Sequence, residues 1–274
     1  MTLRIGWFTT ARGSGSRAMY EAVANAVAAG ALDAEFAFVF CNREPGEDAL
    51  TDSFFRLVQA NRHPLLAKSS VGYRRAVGGS LSRPGEPLPP WRIEYDRAVE
   101  ELLAAHPFDV GVLAGYMLIF EREFVSRHVV LNLHPALPTG PAGTWREVIR
   151  HLIRTGASES GAMLHLAVPE VDAGPVVAYC RYPLRDPELE PLWSALGDPS
   201  VLDDATLEAT PLFAAIRQRG VVREAPLLVA ALGEFAFGRL RAQGGRVLDA
   251  SGADSAPADV TTVVEAAVRS AGGG

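Results

Sequence analysis

The first 60 residues alternate apolar, β-branched runs with amphipathic segments. The runs LRIGWFTT (3–10) and AEFAFVFC (34–41) are followed by SRAMYEAVANAVAA (16–29) and DALTDSFFRLVQA (48–60), in which apolar residues recur at helical spacing. A strand, a helix and a further strand in succession form the βαβ unit of a parallel sheet. The chain is therefore predicted to be an α/β protein with a Rossmann-like, mostly parallel twisted sheet and helices on both faces.

The alternation continues towards the carboxyl end. A helix is predicted from about Trp91 to His106, with Tyr95, Val99, Leu102 and Leu103 on one face, and further helices near 144–155, 206–217 and 225–240. The remaining predicted strands are DVGVLAG (109–115), VVLNL (129–133), GAMLHLAV (161–168) and GPVVAYCRYPL (174–184).

Two segments depart from this pattern. Residues 68–90, KSSVGYRRAVGGSLSRPGEPLPP, are rich in Gly, Ser, Pro and Arg and lack a clear period, which indicates a flexible insertion or lid. Beyond Gly244 the composition shifts to Ala, Gly, Ser and Asp, which indicates a loosely ordered C-terminal tail. The predicted organisation is one domain over 1–243, containing the insertion, and a tail over 244–274.

Composition limits the classes of partner. A chain of 274 residues with 48% hydrophobic content can bury a sizeable core, and no apolar run approaches the roughly 18 to 20 residues of a membrane span. The net charge of −6 argues against a nucleic-acid surface, and Cys41 and Cys180 fit small core residues. We expect a cytoplasmic protein that acts on small molecules, with no membrane or nucleic-acid partner. The sequence leaves the oligomeric state open, a homodimer included.

A glycine-rich turn follows the first predicted strand. Residues 13–16, GSGS, directly precede a helix, where backbone N–H groups and the helix dipole can bind an anion. A tight turn with a serine N-cap explains the same residues equally well. A dinucleotide site would place a third glycine where Ala18 stands, so phosphate binding is favoured over NAD binding.

Two polar residues end the strand VVLNL. Asn132 and His134 are two residues apart, so on a strand their side chains point to the same face, at the carboxyl end where open α/β sheets bind ligands. An amide N–H and a protonated imidazole can share a developing negative charge. Asp172, in the turn PEVDAGPVV, could raise the pKa of a nearby histidine and take up protons through water. A buried loop-capping histidine and an aspartate bonded to its own turn are the structural alternatives.

Four stretches together resemble the phosphoribosylglycinamide formyltransferase family, the folate-dependent enzymes of purine synthesis. They are the GSGS turn, LAGYMLIF followed by EFVS, LNLHP, and GAMLHLAVPEVDAGPVV. The resemblance runs from about Leu3 to Pro183 and continues more faintly through PLLVAALGEFAFGRL. The combination of N-x-H-P with a downstream histidine and D-x-G-P is specific to formyl transfer on this fold.

The resemblance implies roles for particular positions. Asn132, His134 and Asp172 match the catalytic trio, in which Asn and His hold the oxyanion of a tetrahedral intermediate while Asp supports the charged His. His165 matches a histidine that we interpret as structural. The resemblance further implies a loop that binds the substrate phosphate, an arginine that contacts the acceptor, and the walls of a folate pocket. The phosphate loop is matched by Gly15, Ser16 and Arg17, and the acceptor arginine by Arg92. The walls of the folate pocket are matched by Met117, Leu118, Ile119, Phe120, Glu170 and Val171.

The sequence also departs from the family's pattern. Leu118 stands where an arginine is typical, Ala162 replaces a common threonine, and the loop HPALPTGPAG is shorter and richer in glycine than usual. The family's glutamate before the last core helix has Glu224 as its counterpart, out of step by a few residues. Most of these changes fall around the acceptor and the mouth of the cleft.

The resemblance implies transfer of a formyl group from the co-substrate 10-formyltetrahydrofolate to the amine of glycinamide ribonucleotide, without a metal. Three alternatives remain: a different amine acceptor such as an amino sugar nucleotide, hydrolysis of 10-formyltetrahydrofolate, and an inactive folate-binding protein. A binding protein would be marked by a broken trio, and the trio here is whole.

Overall fold

The computed structural model describes residues 2–82, 86–170 and 173–272. Eight strands of the described chain form one sheet in the order β10-β7-β6-β5-β4-β1-β2-β3, and two more form a separate hairpin, β8-β9. The strands are β1 (Leu3–Thr9), β2 (Ala34–Cys41), β3 (Leu65–Ala67), β4 (Val110–Leu113), β5 (Val130–His134), β6 (Glu159–Leu166), β7 (Val176–Pro183), β8 (Leu240–Gln243), β9 (Arg246–Asp249) and β10 (Ala258–Asp259).

Helices surround the sheet, and the predicted α/β fold is confirmed. β6 runs antiparallel to β5 and β7, whereas β1 pairs in parallel with β2 and β4, and β4 in parallel with β5. The helices are α1 (Ser14–Ala28), α2 (Ala49–Ala60), α3 (Ser70–Ala76), α4 (Pro90–Leu103), α5 (Arg122–Arg127), α6 (Trp145–Arg154), α7 (Glu190–Leu196), α8 (Asp204–Glu208), α9 (Pro211–Ala236) and α10 (Thr261–Gly272).

The central strands are buried on both faces, as their nearly continuous apolar sequences require. Side chains on one face of β1, including Ile5 and Trp7, belong to a core shared with α1 and α9, and Phe8 on the other face packs with Phe38 and Tyr95. The sheet is thereby covered by a helical layer on each side. Polar residues lie at its carboxyl edge, where β1, β4 and β5 end together.

The end of the chain departs from the sequence expectation of a loosely ordered tail. Residues 246–272 include β9, β10 and α10, and β10 adds a parallel strand next to β7. Val260 and Val264 are buried, and Glu265 Oε1 lies 2.5 Å from Arg223 Nε of α9. A few anchoring residues in a small-residue sequence are enough for docking, but they leave only a weak periodic signal.

The insertion is partly ordered as well. In place of an irregular lid over 68–90, its described part contains α3, and Tyr95 of α4 donates to the carbonyl oxygen of Lys68 at 2.6 Å. Trp91 Nε1 donates to the carbonyl oxygen of Ser80 at 2.8 Å. Residues 83–85 lie outside the described residues.

The prediction of separate helices over 206–217 and 225–240 is wrong, because α9 runs unbroken from Pro211 to Ala236 with Pro226 inside it. Proline removes one helical hydrogen bond, and burial of Leu227 and Leu228 at the next positions holds the helix together. The segment before α9 also adds α7 and α8, which cover α6 and α9 with a second apolar cluster around Trp193 and Phe213.

Candidate active site

Asn132 and His134 lie on β5 at the carboxyl edge of the sheet. They pair with His165 and Met163 of β6, and the strand period of two directs both side chains to one face. Asn132 is half-buried and His134 is buried. The side chains of Asn132 and His134 therefore lie on one face of β5, as the sequence predicted.

The loop after β5 orients the imidazole of His134. Its Nε2 lies 2.9 Å from the carbonyl oxygen of Pro141. A carbonyl oxygen only accepts, so Nε2 carries the proton of this hydrogen bond. The turn from Leu137 to Gly140 is closed by a 2.7 Å backbone hydrogen bond, which explains how a short, glycine-rich loop returns Pro141 to the histidine.

His165 supports Asn132 from the neighbouring strand. His165 Nδ1 lies 2.9 Å from the carbonyl oxygen of Leu166, so Nδ1 is the protonated nitrogen when the ring is neutral. Nε2 then accepts from Asn132 Nδ2 at 3.2 Å. This hydrogen bond determines which way the Asn132 amide faces. The interpretation of His165 as a structural residue agrees with these contacts.

Asp172 and Val171, two residues predicted for the site, lie outside the described residues. The preceding Glu170 is described, and its Oε1 lies 3.4 Å from Arg122 Nη2 at the start of α5. The segment before Asp172 therefore runs beside α5, on the side of the cleft where the folate wall is predicted.

The GSGS turn opens α1. Gly13 is the N-cap residue without a side-chain cap, and residues 14–16 form the first helical turn, whose N–H groups have no helical acceptors. Ser16 Oγ donates to the carbonyl oxygen of Gly13 at 2.8 Å. Arg17 turns away, with Nε 3.0 Å from Glu21 Oε1. The predicted phosphate contact of this turn thus depends on main-chain groups rather than on the arginine.

The backbone around the turn is constrained. Ala11 has a φ of 56°, a left-handed conformation that is costly for a residue with a side chain. Gly115 has a φ of 68°, and a Cβ there would lie 2.9 Å from Ser16 Cβ. The amide of Met117 donates to Thr10 Oγ1 at 3.1 Å. The segments that follow β1 and β4 are therefore packed into one surface.

Two residues on α9 complete this corner, and the sequence argument did not identify them as a pair. Arg217 Nη1 lies 2.7 Å from Glu224 Oε1. A Cβ on Gly15 would lie 3.7 Å from Glu224 Oε2, so this carboxylate faces the first turn of α1. Glu224 therefore lies near the GSGS turn in space, although its sequence position is shifted by a few residues from that of the family's glutamate. The two residues come together because α9 is continuous, whereas the sequence predicted a break between residues 217 and 225, so their spacing gave no usable signal.

The predicted folate wall is an exposed segment between β4 and α5. Met117 and Ile119 are 78% and 49% exposed, Leu118 is partly buried, and Phe120 packs into the core below them. A cavity of about 770 Å³ lies beside α5, between Val125 and Val130 on one side and Ala167 and Val168 on the other. The predicted wall therefore exposes apolar side chains, and the cavity beside α5 is lined by other residues than Met117 to Phe120.

Arg92 is buried, whereas a residue that contacts the acceptor would be expected to be exposed. Its side chain is 1% exposed, and Nη2 lies 3.1 Å from Asp96 Oδ1 and 2.8 Å from the carbonyl oxygen of Ile119. The arginine faces the predicted folate wall from inside the protein. Asp96 was not singled out in the sequence, although its i, i+4 spacing from Arg92 on a predicted helix was a usable signal.

The sequence profile described as formyl transferase matches residues 11–188, which is more than half of the chain. The chain belongs to the formyl transferase family. This confirms the resemblance drawn from the GSGS, LNLHP and DAGP motifs. Among the described residues, no helix has the length and apolar character of a membrane span.

Relatives within the family carry two different activities in their names. The phosphoribosylglycinamide formyltransferase of Haemophilus influenzae is 34% identical over 94 residues, 34% of this chain and 43% of the relative. A formyltetrahydrofolate deformylase of the same organism is 31% identical over 88 residues, 31% of each chain. These alignments span less than half the length of either relative.

The fold likeness extends further than the sequence likeness. The crystal structure of glycinamide ribonucleotide transformylase 1 from Symbiobacterium toebii superposes with a TM-score of 0.61 at 24% identity, covering 90% of this chain and 93% of that one. Coverage of 90% of this chain shows that the shared fold extends beyond residue 188, where the family profile ends.

Proposed function

We propose that the protein transfers a formyl group from 10-formyltetrahydrofolate to the amine of glycinamide ribonucleotide. The observation that carries the proposal is the pair Asn132 and His134, on one face at the carboxyl end of β5 in a chain of the formyl transferase family. The names of the formyltransferase relatives agree with this reaction.

The proposed chemistry follows from what an amide and an imidazolium can donate. The acceptor amine attacks the formyl carbon, and the carbonyl oxygen becomes an oxyanion in the tetrahedral intermediate. Asn132 and protonated His134 donate to that oxygen, and each such donor contributes about 2.7 to 4 kcal/mol in comparable oxyanion holes. When the intermediate collapses, the bond from carbon to the folate nitrogen breaks, that nitrogen gains a proton and the acceptor amine loses one. Asp172 is proposed to support charged His134 and to relay the proton through water.

The hydrogen bonds of the two residues support this division of labour. His134 Nε2 donates to the carbonyl oxygen of Pro141, which supports a role for Nδ1 in the proposed donation to the oxyanion. Asn132 is oriented by His165, and an amide nitrogen carries two N–H groups, so the same nitrogen can serve a neighbour and an oxyanion. Proximity of two bound substrates supplies much of the remaining rate enhancement.

The proposed acceptor site begins at the first turn of α1. The N–H groups of residues 14–16 and the positive end of the helix dipole suit a phosphate. Glu224, which faces Gly15, would accept from hydroxyl groups of the acceptor, and Arg217 offsets its charge. The proposed folate site lies across the cleft, along residues 117–120 and the segment that includes Glu170 and Val171. Arg92 is left out of the proposed acceptor site, because its side chain is 1% exposed and is bonded to Asp96 and to the carbonyl oxygen of Ile119.

Hydrolysis of 10-formyltetrahydrofolate is the second candidate, because a deformylase is among the relatives that share sequence with this chain. In this reaction water replaces the amine, and formate is the product. The same oxyanion donors would serve both reactions. The two activities therefore differ only in whether the acceptor site binds an amine.

The test is incubation with 10-formyltetrahydrofolate, with and without glycinamide ribonucleotide, following release of tetrahydrofolate. Release that depends on the ribonucleotide is expected, and Asp172→Asn should remove nearly all of it while the fold is kept. Release at the same rate without any amine would instead identify a hydrolase. Full activity of Asp172→Asn would contradict the proposed trio.

A further inference from the structure

We propose that the buried ion pair of Arg92 and Asp96 on α4 positions residues 117–121, and that it thereby sets the affinity for the folate donor. The inference rests on the proposed folate-dependent function. It assigns to both side chains a positioning role for the donor site, exerted through the backbone of the wall.

The pair contacts the wall segment at two points. Arg92 Nη2 donates to the carbonyl oxygen of Ile119 at 2.8 Å, and Asp96 Oδ2 accepts from the backbone N–H of Glu121 at 2.8 Å. Arg92 and Asp96 are joined to each other by a 3.1 Å contact. Because the two anchored backbone groups are only two residues apart, the ion pair determines the direction of the chain between them.

The clamped segment continues directly into α5. Glu121 is its N-cap residue, and its side chain accepts from the backbone of Glu123 and Phe124 at 2.7 and 3.0 Å. The path from the Asp96 carboxylate through Glu121 therefore reaches the first turn of α5. A shift of the pair would move both the wall and the start of this helix.

Burial argues for positioning rather than for stabilisation alone. The side chains of Arg92 and Asp96 are 1% and 0% exposed, whereas Met117 and Ile119, on the wall they hold, are largely open to solvent. Buried ion pairs contribute little net stability compared with apolar residues of the same size, so stability gives little reason to retain one. The pair instead lies beneath a surface on which the side chains of Met117 and Ile119 are exposed in the part of the chain that the structure describes.

The ordered insertion helps to exclude water from the pair. The guanidinium of Arg92 lies 5.5 Å from the ring of Trp91, and Trp91 is covered by Ser80 and Gly79. A Cβ on Gly79 would lie 2.5 Å from Trp91 Cδ1. The insertion therefore packs onto the residue adjacent to Arg92, which connects it with the donor site.

The charge of Asp96 is sensitive to mildly acidic pH. Burial raises the pKa of Asp96 to about 6, although Arg92 and the Glu121 N–H act in the opposite direction. Its other ionisable neighbours are Tyr95, Tyr116 and the carboxylate of Glu121, and burial raises the pKa values of both tyrosines so that they stay neutral. Because the folded-state pKa exceeds the ordinary value, the folded chain takes up the proton more readily than the unfolded chain. Acidification can therefore discharge the pair without favouring unfolding.

The experiment compares Asp96→Asn and Arg92→Lys with wild type. The KM for 10-formyltetrahydrofolate and the Kd for tetrahydrofolate should rise about tenfold or more, as expected when a hydrogen bond to a charged group is lost. The KM for glycinamide ribonucleotide should stay within about twofold. Asp109→Asn, which changes another aspartate that accepts from a backbone N–H and pairs with an arginine, is the matched control and should leave the donor constants unchanged.

A pH series on wild type supplies a readout that does not depend on variants that fold. The affinity for tetrahydrofolate should fall below pH 6, by up to about tenfold per pH unit for a single proton, and the folded Asp96→Asn variant should lose this dependence. A flat wild-type profile would overturn the inference, as would folded variants with unchanged donor constants. If Arg92→Lys raised only the KM for glycinamide ribonucleotide, the inference would be overturned and Arg92 would be assigned to acceptor binding instead. Wild type that neither binds tetrahydrofolate nor transfers formyl groups would instead contradict the proposed function.

Discussion

An arginine–aspartate pair lies at each of the two edges of the sheet, and the two pairs differ in exposure and in the pKa of the aspartate. At the amino edge, Arg4 and Asp109 join the starts of β1 and β4, and their side chains are 36% and 34% exposed. Beside the carboxyl edge, Arg92 and Asp96 are buried. Arg4 lowers the pKa of the Asp109 carboxyl, whereas burial raises that of Asp96.

The difference separates an ion pair that joins two strands from features that we propose to serve a ligand. The carboxyl edge contains a left-handed Ala11, a glycine pressed against Ser16, and Asn132 and His134 with defined hydrogen bonds. Such constrained backbone and buried polar groups are costly, and they collect at functional sites. Changes at the carboxyl edge should therefore affect activity more than stability, and changes at the amino edge should do the reverse.

The largest effect is expected from His134→Ala. Loss of the oxyanion donor and of the group that exchanges protons should lower kcat by about 10²–10³-fold or more. Measurement of kcat beside the melting temperature separates this loss from unfolding. A folded variant that retains kcat within about twofold would remove His134 from the mechanism.

Asn132→Ala should lower kcat by about 10²–10³-fold through loss of the second donor. The double variant with His134→Ala should lose less than the product of the single losses, because the two donors act on one oxygen. A full product of the two effects, measured in the same assay, would indicate that they act independently.

Gly115→Ala tests the packed corner between the turns. An alanine in the left-handed conformation costs roughly 1–2 kcal/mol of unfolding free energy, and its Cβ would also displace Ser16. We expect a higher acceptor KM together with the loss of stability. Gly30→Ala is the control, since Gly30 has a φ of 70° with nothing near its added Cβ. Equal acceptor KM values in the two variants would contradict the proposed phosphate turn.

The smallest effect on activity is expected from Asp109→Asn at the amino edge. Because Arg4 lowers the folded-state pKa of Asp109, its carboxylate contributes stability above pH 4 that is lost as the pH falls through that pKa. The difference in melting temperature between wild type and variant should therefore shrink below pH 4. A loss of formyl transfer at neutral pH would show that the two edges are not separable in this way.

The sheet and the two polar residues at its carboxyl edge could be predicted from sequence, but neither of the two ion pairs was predicted. The period of two placed Asn132 and His134 on one face, and the apolar runs gave the strands of the sheet. The burial of Arg92 and its contact with Ile119 could not be predicted, because sequence matching assigns a position to a family role without showing whether the side chain is buried. The docking of α10 was missed for a related reason, since it depends on two valines and one ion pair from distant segments.

The most direct measurement of the central claim is product analysis after incubation with 10-formyltetrahydrofolate and glycinamide ribonucleotide. Mass spectrometry of the ribonucleotide, taken beside the release of tetrahydrofolate, gives the ratio of the two products. We expect one formylated amine for each tetrahydrofolate, and loss of both products in His134→Ala. Tetrahydrofolate with free formate and an unmodified ribonucleotide would contradict it.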